Sequence, residues 1–360
     1  MTSIFRVVVL YWLIFEYLKK SAMNWRIVAI PASMIPIVII VIQFDIKAED
    51  IFAIGVIPFT IAILAMMVKL GLQGIKFTYI ARHYLGPIDS VWKMSGVRIG
   101  SEFIKFTTPM FVGAEFVVIY WLHKKGIPPA KAMWVAILDI VTEVFAMGTL
   151  SIMAGILALL SGAYVVAAVV LGTSIFITAL WMILFFLSSK RTFQIPKGIA
   201  KLVIKFGKEK GKKSIDQANM WMEEICTMSR QNFRTKESKK VFVNGFALSL
   251  VSWIFYGITF MIIASGTGYA IDAFDSVMAV MGANAIGNLP ITIGGSGLAE
   301  FGIIAYLNDL NPFDFDVPEE SVEWNAVIAW RIATYYVPIA ITWFLLVKLA
   351  LVRYNKPDQK

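Results

Sequence analysis

The chain is poor in the residues that build soluble surfaces, disulfides and metal centres. Only 16% of its 360 residues are charged, where a soluble domain has about 25%, so it lacks the polar surface to cover itself in water. The single cysteine, Cys226, excludes an internal disulfide and any multi-cysteine metal site. The two histidines, His83 and His123, stand far apart beside basic residues, which argues against a histidine metal site. No cofactor signature appears, and Gly294-Gly295-Ser-Gly297 has no following lysine to make it a phosphate-binding P-loop. Asp314-Phe315-Asp316 has the spacing of a metal-holding D-x-D, but no nucleotide-binding pattern surrounds it. Positions 4–18 are apolar yet contain Arg6 and Glu16 with no small-residue cleavage site after them, so no signal peptide is expected.

What remains is apolar: 58% of the residues, with a mean hydropathy of +0.73. These residues come in long runs, and runs of about 20 cross a bilayer as helices. No alternation of period two suggests a barrel. The expected fold is an all-α polytopic membrane protein with about six spanning helices, at 26–42, 51–75, 132–158, 164–187, 241–266 and 324–352. Two further stretches, 90–122 and 276–307, are interrupted by Pro109 with Gly113 and by Pro290 with Gly294, Gly295 and Gly297. Neither half of either stretch is long enough to cross comfortably, so each is expected to enter and leave by one side as a broken, re-entrant pair.

Charge orients these elements. Between 188 and 240 the bases run from Lys190 and Arg191 through Lys201, Lys205 and Lys213 to Lys240, against Glu209, Asp216, Glu223, Glu224 and Glu237. The positive-inside rule makes this loop cytoplasmic. The loop 309–323 carries Asp309, Asp314, Asp316, Glu319, Glu320 and Glu323 with no Lys or Arg, and is expected outside. Threading the chain gives an N-terminal interfacial helix or short span at 1–25 and a first membrane unit at 26–187. A second, inverted unit at 241–352 and a cytoplasmic tail at 353–360 follow the basic loop. Two units of opposite orientation, each holding a broken pair, form an inverted repeat, which in transporters places the substrate between the units near the midplane. Inside the loop, Ile199, Leu202, Val203 and Phe206 at helical spacing beside lysines fit a helix on an anionic lipid surface. Ile215, Ala218, Met222, Ile225 and Cys226 mark a second helix. A solvated loop with no lipid role is the plainer reading. The bases answer to a membrane surface, not to nucleic acid.

An ionised group in hydrocarbon costs roughly 2.5 kcal/mol or more at mid-span, so charges inside apolar runs are candidates for function. Glu115 and Glu300 follow the two breaks directly. Each either binds a cationic group or caps its own helix start, while the glycines before them permit close backbone approach and leave N–H groups for an anionic headgroup. Arg331 lies about seven residues into its span, either snorkelling to the surface or pairing with Glu300 or a lipid phosphate. Asp139 and Glu143 share a helix face and repel unless a proton or cation intervenes; Arg98 and Lys105 are structural partners for them. Asn284 and Asn288 precede Pro290 and face either a hydrated crevice or freed backbone.

Pro290-Ile-Thr-Ile-Gly294-Gly295-Ser-Gly297-Leu-Ala-Glu300-Phe-Gly302, followed by a span with Arg331, resembles a signature of the lysylphosphatidylglycerol synthases, the multiple peptide resistance factors. Thr108-Pro109 through Gly113 and Glu115 to Gly126 and Ala132 is similar to their earlier signature. The resemblance covers about 26–352. It implies a membrane domain implicated in moving aminoacylated phospholipids between leaflets, related domains being joined to glycosyltransferases acting on polyprenyl lipids. With no soluble aminoacyl-transfer domain after Lys360, the translocating part without its synthase is expected, in the cytoplasmic membrane of a prokaryote. The expected function is a flippase for a polar-headgroup lipid, with no catalytic residues. Its expected substrate-binding residues are Glu115, Glu300, Arg331, Asp139, Glu143, Asn288, Gly294, Gly295 and Gly297. Two alternatives stand beside it. A lipid-modifying enzyme would use Glu115, Glu300 and the Asp139–Glu143 pair as acid and base. A scaffold would recruit a lipid synthase through the basic loop. A partner synthase and a homo-oligomer are left open.

Overall fold

The computed structural model describes residues 46–108, 113–192, 194–232, 234–289, 292–307 and 321–351, with scattered positions from 34 to 42. The expected elements at 1–25 and 353–360, most of the span 26–42, the prolines Pro109 and Pro290, and most of the acidic loop 309–323 lie outside the described residues.

Among the described residues the chain is helical, with no β-strand. In chain order the helices are α1 (Ala48–Ala53), α2 (Val56–Leu85), α3 (Val91–Phe106), α4 (Ala114–Lys124), α5 (Pro129–Leu160) and α6 (Tyr164–Lys190). They continue with α7 (Lys197–Asn232), α8 (Lys236–Gly266), α9 (Ala273–Gly287), α10 (Leu298–Leu307), α11 (Ser321–Arg331) and α12 (Val337–Leu351). A π turn, Ile332–Tyr336, joins the last two into one rod. Five elements are long and apolar enough to span: α2, α5, α6, α8 and Trp324–Leu349. The outward faces carry Leu64, Ile175, Phe176, Val243 and Phe344 exposed, as a lipid-facing exterior requires. The protein is an all-α polytopic membrane protein.

The broken stretches form two pairs of short helices. The arms of the first have 16 and 11 residues, and those of the second 15 and 10. At 1.5 Å per residue these reach about 24 Å at most, short of a hydrocarbon core of about 30 Å. The first pair begins and ends at one place, because the Lys125 ammonium after α4 lies 2.7 Å from the carboxylate of Asp89 before α3. Partial burial pushes the Asp89 carboxyl up, but the bonds from Lys125 and the Ser90 N–H hold it below the usual carboxylate range. The second pair folds back along a seam of small residues, Gly287 meeting Ala299 and Gly302 meeting Ala283.

The two pairs open at opposite ends of the bundle. Helices α2 and α8 run antiparallel: Gly266 abuts Ile54 and Gly245 abuts Ile80, with Gln73 bonded to Ser252 between them. Asp89 and Lys125 lie at the end where α2 finishes and α5 starts. The second pair's ends, Asp272 and Leu307, instead line a cavity of about 1300 Å³ with Ile57 at the start of α2 and Ser161 just past α5. Oppositely directed pairs are the geometry of an inverted repeat. With Cys226→Ser as background, single cysteines at Ser189 and Asp316 are expected to label with an impermeant maleimide from opposite faces of the membrane. Labelling of both from one face would contradict this threading.

Two boundaries differ from expectation. The span expected at 51–75 is instead α2, which starts after Gly55 (φ 85°) and runs ten residues further, to Leu85. Apolar continuity ends at 75, but backbone hydrogen bonding continues until Gly86. The two helices expected in the basic loop form one helical run, α7. A Cβ built on Gly211 falls 2.5 Å from the Val203 carbonyl oxygen, whereas eight residues of straight helix span about 12 Å. The run therefore bends sharply between those residues. Ile215 and Cys226 are buried on the arm that follows the bend.

Candidate functional site

The glycines at the two breaks build equivalent corners. Gly113 adopts φ 118°, and Gly294, Gly295 and Gly297 adopt 58°, 65° and 84°, conformations that side chains rarely tolerate. Each corner delivers a backbone N–H to the glutamate that follows. Gly113 N–H donates to Glu115 Oε2 at 3.0 Å, and Gly297 N–H donates to Glu300 Oε2 at 2.7 Å. Both glutamates thus cap the second arm of their pair.

Only Glu300 does more. Its other oxygen lies 2.8 Å from Arg331 Nε. The guanidinium also donates to the Gly294 carbonyl at 2.5 Å and to Ser296 Oγ at 3.3 Å, and it stacks 3.9 Å from the Tyr335 ring centroid. Arg331 is 2% exposed and Glu300 is fully buried, so Arg331 does not snorkel. Its neighbours Trp330 on α11 and Ala333 in the π turn are buried with it. The Tyr335 hydroxyl donates to the Phe106 carbonyl at 2.7 Å, which ties α3, where the first break begins, to the rod behind the second. The room for Tyr335 exists because position 294 is glycine: a Cβ there would sit 2.0 Å from the hydroxyl.

These bonds separate the roles of the two glutamates. Glu115→Gln keeps an oxygen for the Gly113 N–H and is expected to cost under about 1 kcal/mol. Glu300→Gln keeps its cap but removes the charge facing Arg331, so a clearly lower thermal midpoint is expected for it alone. Equal midpoints for the two variants would mean that the Arg331 contact contributes nothing.

A second cluster lies on α2, α3 and α5. Arg98 bridges Asp139 (2.7 Å), Glu143 (2.9 Å) and Glu102 on its own helix. Lys105 reaches Glu143 at 2.5 Å and Glu102 at 3.7 Å. Lys76 meets Asp139 at 3.1 Å and Glu143 at 3.7 Å, and donates to the Asp139 carbonyl at 2.8 Å. The repulsion between Asp139 and Glu143 is thereby answered by three cations. Lys69, one face-turn before Gln73, is buried with its ammonium 4.8 Å from the Trp253 ring and 5.6 Å from the Tyr256 ring. The Tyr256 ring lies 5.6 Å from Trp330, beside Arg331, so Lys69 stands between the two clusters.

Of the expected site residues, Glu300, Arg331, Gly294 and Gly297 come together, Gly295 packing against the Gly287 backbone behind them. Asp139 and Glu143 share the second cluster, and Glu115 caps nearby without an ion pair to a described residue. Asn288 stands apart: its amide reaches the Met147 sulfur at 3.5 Å rather than freed backbone, and Asn284 Nδ2 is buried without a partner. Lys69, Lys76 and Glu102 were not anticipated. The signal was there, since Lys69, Gln73 and Lys76 fall at i, i+4 and i+7, one face of a helix.

No curated protein and no solved structure matches this chain. The family model described as the lysylphosphatidylglycerol synthase TM region matches residues 3–342. With that match over nearly the whole length, the chain belongs to the lysylphosphatidylglycerol synthase TM region family.

Proposed function

We propose that this protein moves a polar-headgroup lipid, an aminoacyl-phospholipid or a polyprenyl-phosphate-linked lipid, between leaflets, and that it does no covalent chemistry. Family membership gives it a membrane role in lipid handling. The observation that supports translocation is the placement of buried charge. Two ion clusters are built on the broken pairs, through Arg98, Glu102 and Lys105 of the first and Glu300 of the second, and the pairs open at opposite ends of the bundle. A headgroup passing from one opening to the other meets polar partners along the way, while its tails stay in the bilayer through the apolar flank of the cavity near Ile57, Ile61 and Leu157. Such charges are expensive at membrane depth and mark substrate paths. Transport would run down a lipid gradient or couple to protons or ions. Lys201 and Lys205 are exposed on α7, which fits contact of that segment with an anionic cytoplasmic leaflet and a cytoplasmic C-terminus.

The test is reconstitution of purified protein with a headgroup-labelled phospholipid. The label should become accessible from both leaflets, with lipid masses unchanged. Appearance of a new lipid species without change in sidedness would favour an enzyme and overturn this reading.

A further inference from the structure

Tyr335 stands where the two broken pairs meet. The corner of a re-entrant pair is its deepest point, and these two corners belong to pairs that open at opposite ends of the bundle. One side chain touches both. The Tyr335 hydroxyl donates to the carbonyl of Phe106, the last residue of α3 before the first break. The two rings meet edge to face, with centroids 5.6 Å apart. At the second break Tyr335 fills the space that Gly294 leaves by having no Cβ, and the Arg331 guanidinium lies 3.9 Å from its ring centroid. Tyr335 and Phe106 are buried, as is Gly294, so the two openings do not join at this point.

The backbone that carries Tyr335 is a joint. Ile332–Tyr336 form the π turn of the last rod, and Pro338 gives the physical reason. A proline has no N–H, and its ring crowds the carbonyl four residues earlier, here that of Thr334, so the turn before it widens. Turns of this kind recur at functional sites and are where helices bend. The halves of the rod are held by different units. Trp330 on α11 donates its indole N–H to Thr259 on α8 at 2.9 Å. On α12, Leu346 packs against Gly100 of α3, where a Cβ would come within 3.2 Å of the Leu346 backbone nitrogen. A shift of the first pair against the second unit would therefore bend the rod at the π turn, where Tyr335 sits.

We propose that Tyr335 is the gate between the two openings, closed in this structure, and that a headgroup passes only when its side chain leaves the Phe106–Gly294 contact. The proposal rests on the transport reading above and adds the residue that keeps the two faces apart between passages.

The test uses full-length protein in sealed phosphatidylcholine vesicles, with Cys226→Ser as background. A small, impermeant ammonium methanethiosulfonate is added outside, and labelling is taken against the total reached after detergent. Ser189 ends α6, which runs antiparallel to α5 (Gly148 meets Thr178 and Gly155 meets Leu171), so it lies at the end where the first pair opens. Ser189→Cys thus reports the fraction of molecules with that end outward. Thr108→Cys, at the first break, should label up to that fraction and no further, because Tyr335 bars approach from the other face. Adding Tyr335→Ala should carry Thr108→Cys labelling beyond that fraction, towards all molecules. Tyr335→Phe keeps the ring but drops the bond to Phe106, and should do the same at a slower rate. Labelling that stays at the Ser189→Cys value in both variants overturns the gate, as does labelling already beyond it with Tyr335 intact. Should Tyr335→Ala fail to fold, Tyr335→Phe decides alone. Translocation of a headgroup-labelled phospholipid, followed in parallel, separates the gate from the reading it rests on. A rise in labelling without translocation by the wild type would sink transport and leave the gate. Translocation by the wild type without that rise would sink the gate alone.

Discussion

Arg331→Ala should be among the most destabilising single changes in this protein. It leaves Glu300 fully buried with one hydrogen bond and no cation, and removing one partner of a buried pair costs about 3–5 kcal/mol. It also releases the Gly294 carbonyl and Ser296 hydroxyl and removes the cation stacked on Tyr335. The measurement is thermal unfolding in detergent, read by size-exclusion of the folded fraction. Adding Glu300→Gln should recover part of the loss, because the amide still accepts from Gly297 while the uncompensated charge disappears. A cycle of the two singles and the double isolates that coupling. Coupling near zero would mean the pair is geometric coincidence. The double variant also separates structure from transport: if it folds and moves lipid at the wild-type rate, the pair is a brace and no part of the headgroup path. Arg331→Lys should stay below wild type, since an ammonium cannot serve Glu300 and the Gly294 carbonyl through one planar fork.

Glu143→Gln should be comparably severe, for the opposite reason. Glu143 is the carboxylate shared by Lys76, Arg98 and Lys105, so its neutralisation leaves those cations with only Asp139 and Glu102. About 3–5 kcal/mol is again expected, and the Lys105→Met, Glu143→Gln pair should restore a good part by removing one cation with its partner. Asp139→Asn should cost less: Arg98 then keeps Glu102 and Glu143, and Lys76 keeps the Asp139 carbonyl, a backbone group the substitution does not touch. If Asp139→Asn proves the worse of the two, the cluster is organised around α5's first carboxylate and not its second.

The sequence showed the helical class and the broken pairs because both rest on local physics: apolar run length, and proline with glycine where a helix cannot continue. It also pointed to Glu300 and Arg331, since an isolated charge in an apolar run is conspicuous. The buried lysines of α2 were harder to see. The span expected at 51–75 contains Lys69 and stops one residue short of Lys76, and run length alone does not say that both side chains turn inward. The structure buries both of them, on a helix that continues to Leu85. Glu102 pairs with Arg98 and Lys105 on its own broken arm, which reads in sequence as an ordinary surface pairing; that the arm is buried against α5 is a tertiary fact that neither spacing nor composition reveals. The choice between capping and ion pairing at Glu115 and Glu300 likewise depended on corner geometry, which one-dimensional spacing leaves open.

The shortness of α3 bears on how the chain is made. Its 16 residues include Arg98, Glu102 and Lys105, too few apolar side chains to carry three ions into hydrocarbon unaided. The α5 acids that Arg98 and Lys105 bind, Asp139 and Glu143, are added by a ribosome some forty residues later. The first pair therefore cannot settle when its own codons have been read. It is expected to wait at the interface, where water still solvates its charges, until α5 brings Asp139 and Glu143. Synthesis from N- to C-terminus and final burial follow different orders in this protein, and Glu143 is the residue at which they meet.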